Sequence, residues 1–97
     1  MLKDFYIYIL SNKKEGVLYI GVTANLIKRI WIHREGLVKG FTKKYNLKLL
    51  VYYEHHGLAE SAIYREKKLK RWRRQWKLDL INSFNPNWND LYETIVQ

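Results

Sequence analysis

Between Arg65 and Lys77 the chain carries eight lysines and arginines and a single acid, Glu66. Basic residues at that density suit an anion, nucleic acid first among them. A lone carboxylate in such company has two uses. It can pair with Lys70 four residues on, a contact worth only about 0.2–0.5 kcal/mol on a helix surface. Alternatively it holds what basic side chains cannot, a metal ion. At 100° per residue Leu58, Ala62, Leu69, Trp76 and Leu80 form an apolar stripe, and Glu66 falls inside it. A carboxylate beside a buried face is costly unless it is paired or binds a cation. Arg73, seven residues on, is the structural alternative to a metal.

Four further residues have types suited to the same chemistry: Tyr8 and Tyr19, then Arg29 and His33. Arginine offers a planar fork of donors to a phosphate, histidine moves protons near neutral pH, and a tyrosine hydroxyl can hold or relay one. Taken singly, each has a plainer use: core tyrosines on strands, a solvated helix face that includes Lys28, a satisfied core histidine. His55 and His56 are adjacent, a poor chelating spacing, and read as loop residues. No Gly-rich phosphate loop, Cys/His zinc spacing or nucleophile elbow occurs.

The elements that must carry these residues follow from periodicity. "DFYIYIL" and "VLYIGVT" are β-rich runs joined by the polar "SNKKEG", a hairpin. If Ser11–Gly16 is a symmetric loop, Tyr8 stands opposite Tyr19, and Gly21 leaves that face open. "TANLIKRIWIHREG" reads as a helix capped by Thr23 or Asn25 and stopped at Gly36, with Leu26, Ile30 and His33 on one side. Arg29, four before His33, shares its face. "GLVKGFTKKY" reads as a loop and "LKLLVYYE" as a third strand. A long basic helix then runs over 58–74, or on to 83. In the tail, Trp88, Leu91 and Tyr92 are the anchors. The order suggests a small α+β sandwich.

Composition limits the alternatives. Ninety-seven residues, 47% hydrophobic, suit one domain spanning 1–97. A formal net charge of +9 favours a polyanionic partner. The chain has no cysteine, so disulfides and thiolate metal sites are excluded. The first apolar run is six residues long, too short for a signal peptide or a membrane span. The expectation is a cytoplasmic protein with no membrane partner.

In sequence order, "YIY" at 6–8, "YIG" at 19–21 and "NLIKRIWIH" at 25–33 resemble the GIY-YIG nuclease superfamily. Tyr6 stands where the first glycine would be, while the tyrosine at position 8 is retained. "FTKKYNLKLLVYYE", "AIYREKKLKRWRR" and "NPNWNDLYE" are similar to the small stand-alone bacterial members, so the resemblance covers nearly the whole chain. It implies an α+β fold, a three-stranded antiparallel sheet flanked by helices. It also implies endonucleolytic hydrolysis of DNA phosphodiesters with Mg²⁺ (Mn²⁺ as substitute), in DNA repair or processing.

By position, the resemblance has Tyr8 orient or deprotonate the attacking water and Tyr19 assist. Arg29 would bind the scissile phosphate, His33 would relay a proton or support Tyr8, and Glu66 would hold the metal. It also asks for a C-terminal asparagine, Asn85, with Asn82 as the second choice. Lys28, Lys67, Lys68, Lys70, Arg71 and Arg74 would line the phosphate track. Whether Tyr8 or His33 is the general base stays open: an unperturbed phenol titrates near 10, and Arg29 with a metal-bound water would favour the phenolate. RNA is the alternative target, signalled by stacking on Trp72 or Trp88. The rival reading is a nucleic-acid-binding module that cuts nothing, or cuts only with a partner.

Overall fold

The computed structural model describes residues 3–97. It contains β1 (Phe5–Ser11), β2 (Leu18–Thr23), α1 (Leu26–Arg34), α2 (Phe41–Lys44), β3 (Leu49–His56), α3 (Ala59–Arg71), α4 (Arg74–Phe84) and α5 (Tyr92–Ile95). The strands form one antiparallel sheet in the order β2-β1-β3, the expected α+β arrangement. Among the described residues no helix is long and apolar enough to cross a membrane.

Alternation along β1, the central strand, sends its residues to two cores. Ile7 and Ile9 pack with Ile20, Ala62 and Leu69, and with Leu78 and Ile81 of α4, on one side. Tyr8 and Leu10 pack with Leu26, Ile30, Leu47 and Leu50 on the other. The helices therefore flank both faces of the sheet. A bulge between Ile9 and Leu10, where the partners jump from Tyr52 to Leu50, lets Val51 and Tyr52 join the same core.

The hairpin register differs from the symmetric-loop expectation by two residues. Tyr8 pairs with Gly21 and Leu10 with Tyr19. Side chains in the loop decide this: Asn12 Oδ1 accepts the Val17 N–H, Ser11 Oγ donates to the Lys13 carbonyl, and Glu15 takes a positive φ of 55°. A shift of two preserves the faces, so the tyrosines remain on one side. Gly21 does not leave that face open. A Cβ there would overlap Cζ and the hydroxyl of Tyr8, whose ring lies across the glycine. Gly21→Ala is expected to lower stability by about 1–3 kcal/mol through this overpacking, read as a fall in the urea midpoint; an unchanged midpoint would mean the ring has room to move.

Helix α1 matches its reading closely. Asn25 caps it by accepting the Lys28 N–H, and Leu26, Ile30 and His33 are its buried residues. Its end is closed by Gly36 N–H to His33 O and Leu37 N–H to Ile32 O, with Gly36 at φ 68°. Two expectations fail further on. The segment 36–45 contains the single turn α2, and His55 and His56 end β3 rather than lying in a loop. His55 meets Asp4, and His56 bridges Glu54 and Ser61.

The long basic helix is two helices. Trp72 and Arg73 are both extended, with φ near −60° and ψ near 150°. Trp72 packs against the first core, and the turn brings Leu78 and Ile81 onto it as well. The predicted stripe therefore survives at Ala62 and Leu69 and, partly buried, at Leu80. Leu58 and Trp76 are about half exposed. Trp88 is buried, as expected of an anchor, and donates to Asn82 Oδ1. Asp90 ties the tail down by pairing with Arg34 and accepting the Leu50 N–H.

Candidate active site

The second core, on the α1 side of the sheet, ends in a polar cluster. Tyr8 arrives from the middle of β1, Tyr19 from β2 one diagonal away, and Arg29 and His33 from successive turns of α1. The ring centroids of Tyr8, Tyr19 and His33 lie 5.7–6.2 Å apart. Arg29 Nε donates to the Tyr8 hydroxyl at 3.3 Å, and that hydroxyl lies 3.2 Å from His33 Nε2. On its other side His33 Nδ1 is 3.2 Å from Thr42 Oγ1 of α2. Sequence reasoning missed Thr42; a single turn has too few residues for periodicity to mark it.

Arginine can only donate, so the Tyr8 oxygen accepts from Arg29 and its own proton is available to His33. We assign Nε2 as that acceptor, with the imidazole proton on Nδ1 directed at Thr42. Four side chains then form one line of hydrogen bonds, Arg29 to Tyr8 to His33 to Thr42.

The electrostatics bear on the question left open by the sequence, whether Tyr8 is a phenolate. Burial pushes Tyr8 up to about 12, outweighing the lowering effect of Arg29, and the neighbouring Tyr19 hydroxyl pushes it further. Tyr8 is a phenol at neutral pH. Burial first, and the Arg29 charge second, bring His33 down to about 4, so its imidazole is neutral and able to accept a proton. Arg29 moves upward, chiefly through its bond to Tyr8.

Exposure separates the two tyrosines. Tyr8 is only 1% exposed, whereas Tyr19 and Arg29 are half-buried and reach the surface. Arg29 Nε is held by Tyr8 and the Tyr19 hydroxyl lies close by, while the rest of the half-exposed fork is open to an anion.

His33 also sets an acid limit on stability. As pH falls through 6.5 the unfolded chain takes up a proton that the folded imidazole resists until about 4. The folded state is thus stabilised above that window and loses about 3 kcal/mol across it. Denaturant titrations between these pH values should show this slope in the wild type and a flatter one in His33→Gln; equal slopes would assign the loss to other groups.

The remaining predicted residues lie elsewhere. Glu66 is on α3, over the opposite face of the sheet, and makes no contact with the tyrosine cluster among those described. Its side chain is 17% exposed, inside the half-buried face as expected, and its partner is Lys70 at 3.5 Å. Arg73 is not that partner: it lies beyond the break at Trp72, over the Trp76 ring. Lys28, Lys67, Lys68, Lys70 and Arg71 are exposed. Arg74 is exposed too, but its guanidinium donates to the Glu15 and Gly16 carbonyls at 2.6 and 2.7 Å, bracing the hairpin loop.

Asn85 does not join the cluster. It is buried at the end of α4, donates to the Val51 and Asn89 carbonyls, and accepts the Asn89 N–H. Those bonds use its amide for packing the tail. The stacking candidates change as well: Trp88 is buried, and Trp72 packs on the core under Arg65.

A family model described as the GIY-YIG catalytic domain matches residues 4–79. A UPF0213 protein of Clostridium perfringens is 41% identical over 78 residues, covering 80% of this chain and 83% of its own. Another, from Staphylococcus saprophyticus, is 39% identical over 77 residues, 79% of this chain and 93% of its own. A third, from Pediococcus pentosaceus, is 30% identical over 81 residues and 84% of each. No solved structure matches the chain at a significant level.

Proposed function

The chain belongs to the GIY-YIG catalytic-domain family, and from that membership we propose that it is a metal-dependent endonuclease hydrolysing DNA phosphodiesters. The observation that carries the proposal is the hydrogen-bonded line Arg29–Tyr8–His33, with Tyr19 beside it at the surface. Arg29 takes the scissile phosphate on the open part of its fork, held in orientation by Tyr8. Tyr19 meets the attacking water. The water's proton passes to the Tyr19 hydroxyl as that group's own moves to Tyr8 and Tyr8's moves to His33 Nε2, so that no free phenolate has to form. The phosphorus–oxygen bond to the leaving strand breaks, and its oxygen takes a proton from solvent. A bound phosphate offsets the Arg29 charge that depresses His33, raising the basicity of the imidazole when the proton arrives. Thr42 keeps the imidazole turned towards Tyr8 and is a positioning residue.

Glu66 fits a divalent cation. It is partly buried, its one cationic partner is 3.5 Å away, and its oxygens retain free acceptor capacity. No group of three or more acids, histidines or cysteines suited to a metal occurs among the described residues. With Glu66 as the single carboxylate, the ion this reading calls for is Mg²⁺, which binds through one or two carboxylates and keeps its waters, with Mn²⁺ as substitute. Bound there, the ion would supply charge neutralisation on the phosphate. Glu66 rises from the α3 layer and the tyrosine cluster from the α1 layer, so on this reading a substrate strand spans the two. Exposed Lys28, Lys67, Lys68, Lys70 and Arg71 add salt-dependent, sequence-independent attraction for DNA. We place the activity in the cytoplasm, in DNA repair or processing.

The test is incubation with labelled single-stranded, duplex, nicked and branched DNA and with RNA, each with Mg²⁺, Mn²⁺ or EDTA. Metal-dependent cuts are expected. Salt-sensitive binding without cuts under any condition would instead establish a binding module.

A further inference from the structure

Beyond the hydrogen-bonded cluster the aromatic rings continue outward. Tyr19 lies 6.5 Å from Phe41, and Phe41 lies 4.8 Å from Tyr45, centroid to centroid. Phe41, which opens α2, is 47% exposed, and Tyr45, which follows it four residues on, is 41% exposed on the same side. Two large rings left half in water are costly unless something covers them. They cannot relax inward, because α2 is held from both sides. Thr42, between them in sequence, bonds His33, and Leu47, fully buried, donates its N–H to the Thr42 carbonyl at 2.8 Å. The turn that carries the rings is therefore fixed, and the rings pack on each other. Their surroundings are cationic: Lys44 lies 5.4 Å from the Tyr45 centroid, and Lys39 and Lys43 are exposed on the same segment.

Resting on the nuclease reading, we propose that Phe41 and Tyr45 form a stacking subsite for an unpaired base next to the scissile phosphate. The observations favour a polynucleotide over other occupants. Ring faces bind the π-face of any base, and the lysines suit the flanking phosphates. A base pair inside a duplex offers no free face, so the subsite selects single-stranded or frayed segments over continuous duplex.

The experiment is binding in EDTA, where no cleavage occurs, by fluorescence anisotropy. The probes are oligo-dT, oligo-rU, an abasic oligomer of equal length and a closed hairpin duplex. Wild type should prefer oligo-dT to the abasic strand. Phe41→Ala and Tyr45→Ala should each weaken oligo-dT binding roughly 10- to 100-fold. Abasic binding and the salt slope should stay unchanged, since the phosphate contacts remain. Phe41→Leu, apolar but without a ring, should behave as the alanine variant, and Phe41→Trp should retain the preference. The rU arm identifies whether DNA or RNA is the better source of the base.

Unchanged base preference in both alanine variants would overturn the subsite, as would conversion of a dimer to a monomer without loss of preference, which would assign the rings to a second copy of the chain. Cleavage by wild type despite that result would leave the nuclease reading standing. Aromatic-dependent binding with no cutting in any metal would leave the subsite standing alone.

Discussion

Cleavage in Mg²⁺ is expected to fall roughly 10²–10⁴-fold in Tyr8→Phe, the range over which positioned proton transfer contributes to catalysis. The substitution removes one oxygen and keeps the ring that fills the space over Gly21. Core packing should therefore survive, and stability read from the urea midpoint should fall only by about 1–3 kcal/mol, the cost of the unpartnered His33 Nε2. What is lost is the link between Arg29 Nε and His33 Nε2. The guanidinium loses the bond that aims its fork, and His33 loses its route to the surface. A plain packing defect would affect binding and stability together. Loss of the relay should instead leave DNA affinity in EDTA within a few-fold of wild type while the single-turnover rate collapses. Near-normal cleavage in Tyr8→Phe would move the proton transfer to Tyr19 alone and reduce Tyr8 to a core residue.

In Glu66→Ala cleavage should drop at least 10²-fold, roughly the effect of removing one preorganised charge stabiliser, while DNA binding in EDTA is kept or tightened. The sign follows from charge: deleting a carboxylate beside Lys67, Lys68 and Lys70 increases the pull on phosphate. The structural alternative predicts something different. The Lys70 pair is an i,i+4 contact at 3.5 Å with the lysine half exposed, worth about 0.2–0.5 kcal/mol. If that were the whole use of Glu66, its removal would change stability slightly and cleavage not at all. Full activity in the variant would therefore sink the metal assignment. Partial rescue of Glu66→Asp or Glu66→Gln by raised Mn²⁺ would strengthen it.

The sequence alone was sufficient for the features that depend on local periodicity. Alternation in "FYIYILS" placed Tyr8 on one face whatever the turn did. Because faces repeat every two residues, a register error of two left Tyr8 and Tyr19 together. The spacing of Leu26, Ile30 and His33 likewise determined which side of α1 is buried, and with it the neighbourhood of Arg29. The half-buried position of Glu66 followed from the same periodicity.

Other features were settled only by long-range packing. The break at Trp72 carries no proline or glycine to announce it; it arises because Trp72, Leu78 and Ile81 all reach one core. That Asn85 lies apart from the tyrosine cluster, with its amide bonded to the Val51 and Asn89 carbonyls, is visible only in the folded chain. The protonation states of Tyr8 and His33 depend on burial, a property of the folded chain, and burial outweighed the Arg29 charge that sequence reasoning had set against the phenol. Thr42 and the ring pair at α2 were invisible for the simplest reason. A four-residue turn has no period of its own, and its orientation is decided by one bond to His33 and one buried leucine.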